Sequence, residues 1–403
     1  SGRNDASVLT KNWVAAGPPP APLTDPSNER NLTRFNPIPA VTAQKAIPLL
    51  VTVPNGAAGP AGVKPANGWP VVIFQHGITG DRSNALALAP AFAQAGWVVA
   101  AVDLPYHGVT SAANPLYQAN NEQTFDLDLV NNSTSAPGPD SLTDPSGTHY
   151  INLTNVRASR DSLRQGAANL LALTRALPTL DLDGNPATVD IDGTRIAFVG
   201  ISLGSITGVS YAAVLPNAPA LVPTVALSVP GGGIAELIRD SVSFGPRINA
   251  GLIAQGLAPG STLYAQFFRD AQTIIDAGDP LNYMGAAIAQ RRVYLSQVIG
   301  GSGTPASLPD QVIPNSSTQR LIRAAGAALP RVTPASAPVV GSGYVNFVAG
   351  EHGSILTPGS PPSASPATSF ITLTGAANIP ATRSASAAKK PTSCHRWALL
   401  AMR

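Results

Sequence analysis

An α/β domain, with a mostly parallel central sheet flanked by helices, is the fold class this sequence predicts, and three observations predict it. Short runs of unbroken apolar residues recur along the chain, VVIF at 71–74, WVVAAV at 97–102 and PTVALS at 223–228 among them. Runs this short, without polar alternation, suit strands buried on both faces. Helix-patterned segments accompany them, at 83–95 and at 157–177, where Leu163, Ala167, Leu170 and Leu171 share one stripe. Strand, helix, strand in that order calls for right-handed crossovers and a sheet covered on both sides. The chain has 403 residues, 44% of them hydrophobic, enough for one large core that carries insertions.

Residues 1–45 are rich in Pro, Asn and Thr and read as an extended arm over the surface. The main domain is expected to span 46–357. It opens with the strand AIPLLVTV at 46–53, ended by PNG, and the run at 71–74 follows after a Pro/Gly loop. Residues 83–95 are predicted as a helix and 97–102 as the next strand, which ends at Asp103. After the helix at 157–177 come a strand at 195–199 (RIAFV) and a helix in SLGSITGVSYAAVL. Strands are predicted again at 223–228, 292–297 and 344–348. Between the first two of these lies a helical insertion at about 231–288. Ile234, Leu237, Ile238 and Val242, then Tyr264, Phe267, Phe268, Ala271, Ile274 and Ile275, repeat there at helical spacing. Residues 358–403 carry little periodicity and are expected to form a low-complexity tail without fixed structure.

Composition excludes several functions. With 25 Lys and Arg against 22 Asp and Glu and no basic run, the chain has no electrostatic footprint for nucleic acid. Its one cysteine, Cys394, lies in the tail, so neither a disulfide framework nor a cysteine metal site holds the fold. The longest apolar stretch, 85–102, is interrupted by Pro90, Gln94 and Gly96 and is not a membrane span. DLDGN at Asp181 and DIDG at Asp190 lack the ligand spacing of a calcium loop and read as Asp-Gly turns. No metal or cofactor is implied. Low charge with abundant Pro, Gly, Ala, Ser and Thr fits a secreted or cell-surface bacterial protein, although no leader is visible.

The chemistry concentrates in FVGISLGS at 198–205. Ser202 stands between Gly200 and Gly204 at the exit of a β-rich run and the entry of a helix, the context in which a serine becomes a nucleophile on a tight turn. The alternative is a serine that caps the helix. A nucleophile of this kind takes its partners in the chain order Ser, acid, His. Of five histidines, His352, just after the last strand, sits where the base belongs. Asp310, after the strand at 292–297, sits where the acid belongs, whereas Asp276 and Asp279 read as helix caps or connectors. The oxyanion donors are expected from the amide of Leu203 and from QHGITG, with Ile78 first and Gly77 second. His76 reads as an anchor for that loop, Asp103 and His107 as structural hydrogen-bonding residues, and Arg157, Asp161 and Arg164 as an ion cluster on a helix.

Taken together, FQHGITGDRSN, DLPYHG, the FDLDLVNN to SRDSLRQG region, GISLGS, SVPGGGIAELIRDSVSFGP and EHGSIL resemble the α/β-hydrolase lipases of the bacterial virulence-factor type, which include extracellular lipases and lysophospholipases. The similarity covers roughly residues 46–356. It implies the α/β-hydrolase fold, a serine esterase chemistry, and the triad Ser202, Asp310 and His352. The loop before Asp310, GGSGTPASLPD, is longer than the family pattern. The insertion, with Phe267 and Phe268, is placed over the carboxyl end of the sheet as an acyl pocket or lid. A lipid or polyester ester with a medium or long acyl chain is the expected substrate. An acyltransferase using the same acyl-enzyme, or a non-catalytic surface-binding relative, is the alternative.

Overall fold

Val71 and Ile73 pack on one face of the sheet with Phe198 and Leu227, while Val72 and Phe74 pack on the other with Val199 and Ala226. This period of two, with both faces covered, is why the central strands read as unbroken apolar runs. The computed structural model describes residues 3–24, 30–215, 221–302, 305–332 and 341–357, and the backbone of 396–402. The strands are β1 (Ile47–Val53), β2 (Trp69–Gln75), β3 (Val98–Val102), β4 (Ile191–Ile201), β5 (Thr224–Ser228), β6 (Arg292–Val298), β7 (Gly343–Phe347) and β8 (Arg396–Met402). Their order across the sheet is β7-β6-β5-β4-β2-β3-β1-β8. Strands β2 to β7 are parallel, and β1 and β8 complete one edge in antiparallel pairing. This mostly parallel sheet with helices on both faces is an α/β-hydrolase arrangement, as expected.

The helices are α1 (Ala89–Gln94), α2 (Val156–Ala176), α3 (Leu203–Val214), α4 (Ile234–Asp240), α5 (Gly245–Ile253), α6 (Thr262–Ile275), α7 (Met284–Gln290) and α8 (Asn315–Ala325). Leu170 and Leu173 of α2, Val209 and Tyr211 of α3, Met284 of α7 and Leu321 of α8 cover one face of the sheet, and Phe92 of α1 lies on the other. Helices α4, α5 and α6 instead gather around Leu252, Phe268 and Ala271.

Four expectations need correction. Residues 83–95 are not one helix. A short tight helix, Arg82–Ala87, precedes α1, which restarts with Pro90 in its first turn, because proline has no N–H for a helix interior. The insertion ends before 288, since α7 buries Met284 and Ala287 against the sheet rather than over the active face. The tail contains strand β8, paired with β1; the remainder of 358–403 lies outside the described residues. In the helical ion cluster, buried Asp161 pairs with Arg160 at 2.7 Å and Arg164 at 3.2 Å, while Arg157 donates to Asn31 Oδ1. The arm is more firmly attached than a surface run. Trp13 N–H donates to Asp161 at 2.9 Å, and its indole N–H donates to Gln165 at 3.1 Å. Among the described residues, no helix is long and apolar enough to cross a membrane.

One buried ion cluster ties the strand ends together. Arg82, in the loop after β2, donates from its backbone N–H to Asp103 at 2.7 Å and from its guanidinium to Asp103, to Glu122 at 2.7 and 2.8 Å, and to Leu116 O. All three side chains are buried. Burial alone would lower the guanidinium pKa, but the Glu122 and Asp103 carboxylates outweigh it and hold it above its ordinary value. Removing the cation strands two carboxylates out of water. Arg82→Ala is therefore expected to cost about 3–5 kcal/mol of unfolding free energy, measured by urea denaturation. A loss below about 1 kcal/mol, the size of an exposed pair, would contradict the role assigned to this cluster.

Candidate active site

Ser202 sits between β4 and α3 with φ 54° and ψ −120°, a backbone conformation that costs a non-glycine residue energy. The turn closes only because its neighbours lack side chains. A Cβ at Gly200 would stand 2.7 Å from the Gly204 carbonyl, and one at Gly204 would strike the Gln75 carbonyl of β2. Ser202 N–H donates to Ser228 O at 2.9 Å, and its carbonyl accepts from Ile206 N–H at 2.9 Å. Its side chain makes no capping bond to the helix, so the capping alternative is not realised.

Asp310 follows β6, with its N–H on Val298 O at 3.0 Å. One carboxylate oxygen accepts from the amides of Val312 at 2.8 Å and Ile313 at 3.0 Å, and the other lies 2.8 Å from His352 Nδ1. An acceptor-only carboxylate assigns the proton to Nδ1, leaving Nε2 as the acceptor. The carboxylate is buried, whereas His352 is partly open to solvent. Ser202 Oγ makes no hydrogen bond with the imidazole, and such contacts often close only around substrate.

The loop after β2 is organised by His76. Its Nδ1 lies 2.8 Å from Gly77 O, which also accepts from Gly80 N–H at 3.1 Å, and its Nε2 accepts from Leu104 N–H at 3.1 Å. In a trans peptide the N–H points away from the C=O. Pinning the Gly77 carbonyl therefore fixes the direction of the Ile78 N–H. Gly77 itself must be small, since a Cβ there would stand 3.0 Å from Ser202 Cβ. Leu203 opens α3, where free amides and the helix dipole favour negative charge.

Ser202, Leu203 and Ile78 border a pocket whose walls are almost wholly apolar. Phe267 and Phe268 of α6 line it, Phe268 buried with its ring 5.3 Å from Phe267. No pattern in the sequence points to Tyr150 and Ile151 of the loop before α2, or to Val156 at its start, which line the same pocket. That loop has no periodicity from which its inward side could be read. Asp279 is a buried cap, accepting from the amides of Gly233 at 3.1 Å, Ile234 at 2.7 Å and Leu281 at 2.9 Å. Asp181, Asp183 and Asp190 do cluster, but Lys64 Nζ stands 2.7 Å from Asp183 and 2.5 Å from Asp190 and supplies the cation.

No curated protein matches the sequence. The family model described as platelet-activating factor acetylhydrolase, isoform II, matches residues 44–134, which contain β1 to β3 and the Arg82 cluster and stop short of Ser202, Asp310 and His352. Among solved structures, the chain is similar to an acetyl xylan esterase from Paenibacillus sp. R4 (16% identity, 72% of this chain and 71% of that one, TM-score 0.39). It is also similar to the propionate-bound esterase Est2 of Thermogutta terrifontis (13%, 76% and 80%, TM-score 0.39). A third is the Pyrococcus horikoshii acylaminoacyl peptidase (12%, 82% and 38%, TM-score 0.42). At these identities and scores the likeness says nothing of substrate.

Burial holds the His76 imidazole down to about 4 and that of His107 down to about 3. Both are depressed below the unfolded value of about 6.5, so between that pH and their folded values the unfolded chain binds the extra protons. Stability is thus present above about pH 6.5 and lost as pH falls toward 4. Asp103 opposes this in part, because burial pushes its carboxyl up to about 7 against the Arg82 cation. Urea midpoints at neutral and acidic pH measure the balance. The His107→Gln chain is expected to lose less stability on acidification than the unsubstituted chain, and equal losses would remove His107 from the account.

Proposed function

We propose that this chain is a serine carboxylic-ester hydrolase, with Ser202 as nucleophile, His352 as general base and Asp310 as its orienting acid. The observation that carries the reading is the Asp310–His352 hydrogen bond of 2.8 Å at the same strand ends as a serine held at φ 54°. The lipase-like motifs and the family match over residues 44–134 support the same class of chemistry.

In this mechanism Ser202 Oγ attacks the ester carbonyl as its proton passes to His352 Nε2. Asp310 keeps Nδ1 protonated and stabilises the imidazolium. The amides of Leu203 and Ile78 receive the charge that develops on the carbonyl oxygen. His352 then returns the proton to the departing alcohol, and water, activated by the same imidazole, releases the acid. No step requires a metal or cofactor.

The apolar walls support an acyl chain as the group bound. Each buried methylene contributes up to about 0.8 kcal/mol, so medium or long acyl esters are favoured over acetyl esters and amides. The helical insertion also exposes Val242, Ile253 and Leu263, apolar side chains that suit contact with a lipid or polyester surface.

Ser202→Ala is expected to reduce esterase turnover by about 10⁶, and Asp310→Asn by about 10⁴ with the fold intact. A folded Ser202→Ala chain with near-native turnover would sink the assignment. For the substrate, kcat/KM measured across esters of increasing acyl length is expected to rise beyond acetyl. A steady decline from acetyl onward would leave the chemistry and remove the lipase-like preference.

A further inference from the structure

The pocket at Ser202 shares a wall with a second, more open groove. Ile151, Asn152, Leu153 and Val156, in the turn that enters α2, border both spaces. At the end of α6 the division falls between consecutive residues, with Ile275 lining the pocket and Ile274 the groove. Across the groove lies the arm, which contributes Leu9.

Ile151, Leu153 and Val156 are each half-buried and line both spaces. Ile151 and Val156 pack on neighbouring apolar clusters, and polar bonds hold the backbone of the turn. Asn152 N–H donates to Ser159 Oγ at 2.8 Å, Asn152 Nδ2 to Leu9 O at 3.0 Å, and Asn155 Nδ2 to Thr10 O at 3.2 Å. The turn is thus stapled to α2 and to the arm by its asparagines, while Ile151 and Val156 stand between the two spaces as a partition. An acyl chain that starts at Ser202 and fills the pocket meets this partition, and the groove beyond it offers further apolar side chains at Leu9 and Ile274.

We infer that Ile151 and Val156 set the acyl length this site accepts, and that the groove behind them receives the distal methylenes of longer chains. This rests on the ester-hydrolase reading above. The test measures kcat/KM for p-nitrophenyl butyrate and dodecanoate with the native chain, Ile151→Ala, Val156→Ala and Val156→Phe. The alanine variants are expected to raise the dodecanoate-to-butyrate ratio by about tenfold, mainly through KM, and Val156→Phe to lower it similarly. Unchanged ratios in all three overturn the inference. Ser202→Ala in the same assay separates the two ideas: activity that survives it defeats the hydrolase reading, whereas Ser202-dependent activity with fixed ratios defeats only the partition. Displacement of a fluorescent fatty acid from Ser202→Ala, with and without Ile151→Ala, gives a readout independent of turnover. Dodecanoate is expected to bind about tenfold more tightly when the wall is cut; equal affinities overturn the inference.

Discussion

The mouth of this molecule depends on one crowded turn, where β4 passes into α3 with almost no room between backbone and backbone. Gly200 and Gly204 let the helix lean directly on β2 and β4, and Gly208 continues that contact one turn later against the Phe198 ring. Ser202, caught where the chain must reverse, is forced into a left-handed conformation and held there by its bonds to Ser228 and Ile206. Positive φ also occurs at Thr79, Tyr106 and Val229, each beyond the carboxyl end of a parallel strand, and at Arg30, Asn120, Phe125, Asp126, Ser135 and Ser141 in the arm and the segment after β3. Such residues each cost roughly 1–3 kcal/mol and persist only where surrounding contacts over-determine them. The strand ends around the serine therefore carry part of the chain's backbone strain.

What the sequence made legible was what is locally encoded. The double-sided strands, the Gly-x-Ser-x-Gly turn and the positions of Asp310 and His352 after their strands follow from short patterns with direct steric causes. The break at 83–95 was also legible in principle, since Pro90 forbids an uninterrupted helix. The segment from 104 to 155 was not, because distant carboxylates rather than periodicity organise it. Glu122 accepts from Arg82 and from the amides of Val109 and Gln118; Asp128 from those of Asp140 and Ser141; Asp144 from those of Leu129 and Val130. A chain bent by carboxylates onto amides carries no repeat, so its inward face, which builds part of the pocket, left no trace in the sequence. Strand β8 was missed for a related reason: its pairing with β1 joins opposite ends of the chain.

With only 12% charged residues, the chain spends many of its carboxylates on structure. This makes a lone histidine–carboxylate contact a poor guide to chemistry. His149 and Asp144 lie as close as 2.7 Å, closer than His352 and Asp310 at 2.8 Å, yet His149 faces the outer groove and Asp144 organises its loop. The difference lies in position: His352 and Asp310 follow the parallel strands β7 and β6 at their carboxyl ends, as the strained serine follows β4. The sheet thus distinguishes the two pairs where their hydrogen-bond lengths do not.

The docking of the arm has an optical consequence. Of the three tryptophans whose side chains are described, Trp69 and Trp97 are buried in the two core layers, while Trp13 is half-buried with its indole N–H on Gln165. Indole emission shifts to longer wavelength when its ring and N–H pass into water, so the chain carries separate built-in reporters for its arm and for its core. Release of the arm alone would move only the Trp13 component, and a spectral change that precedes loss of the sheet would mark that release without any added label.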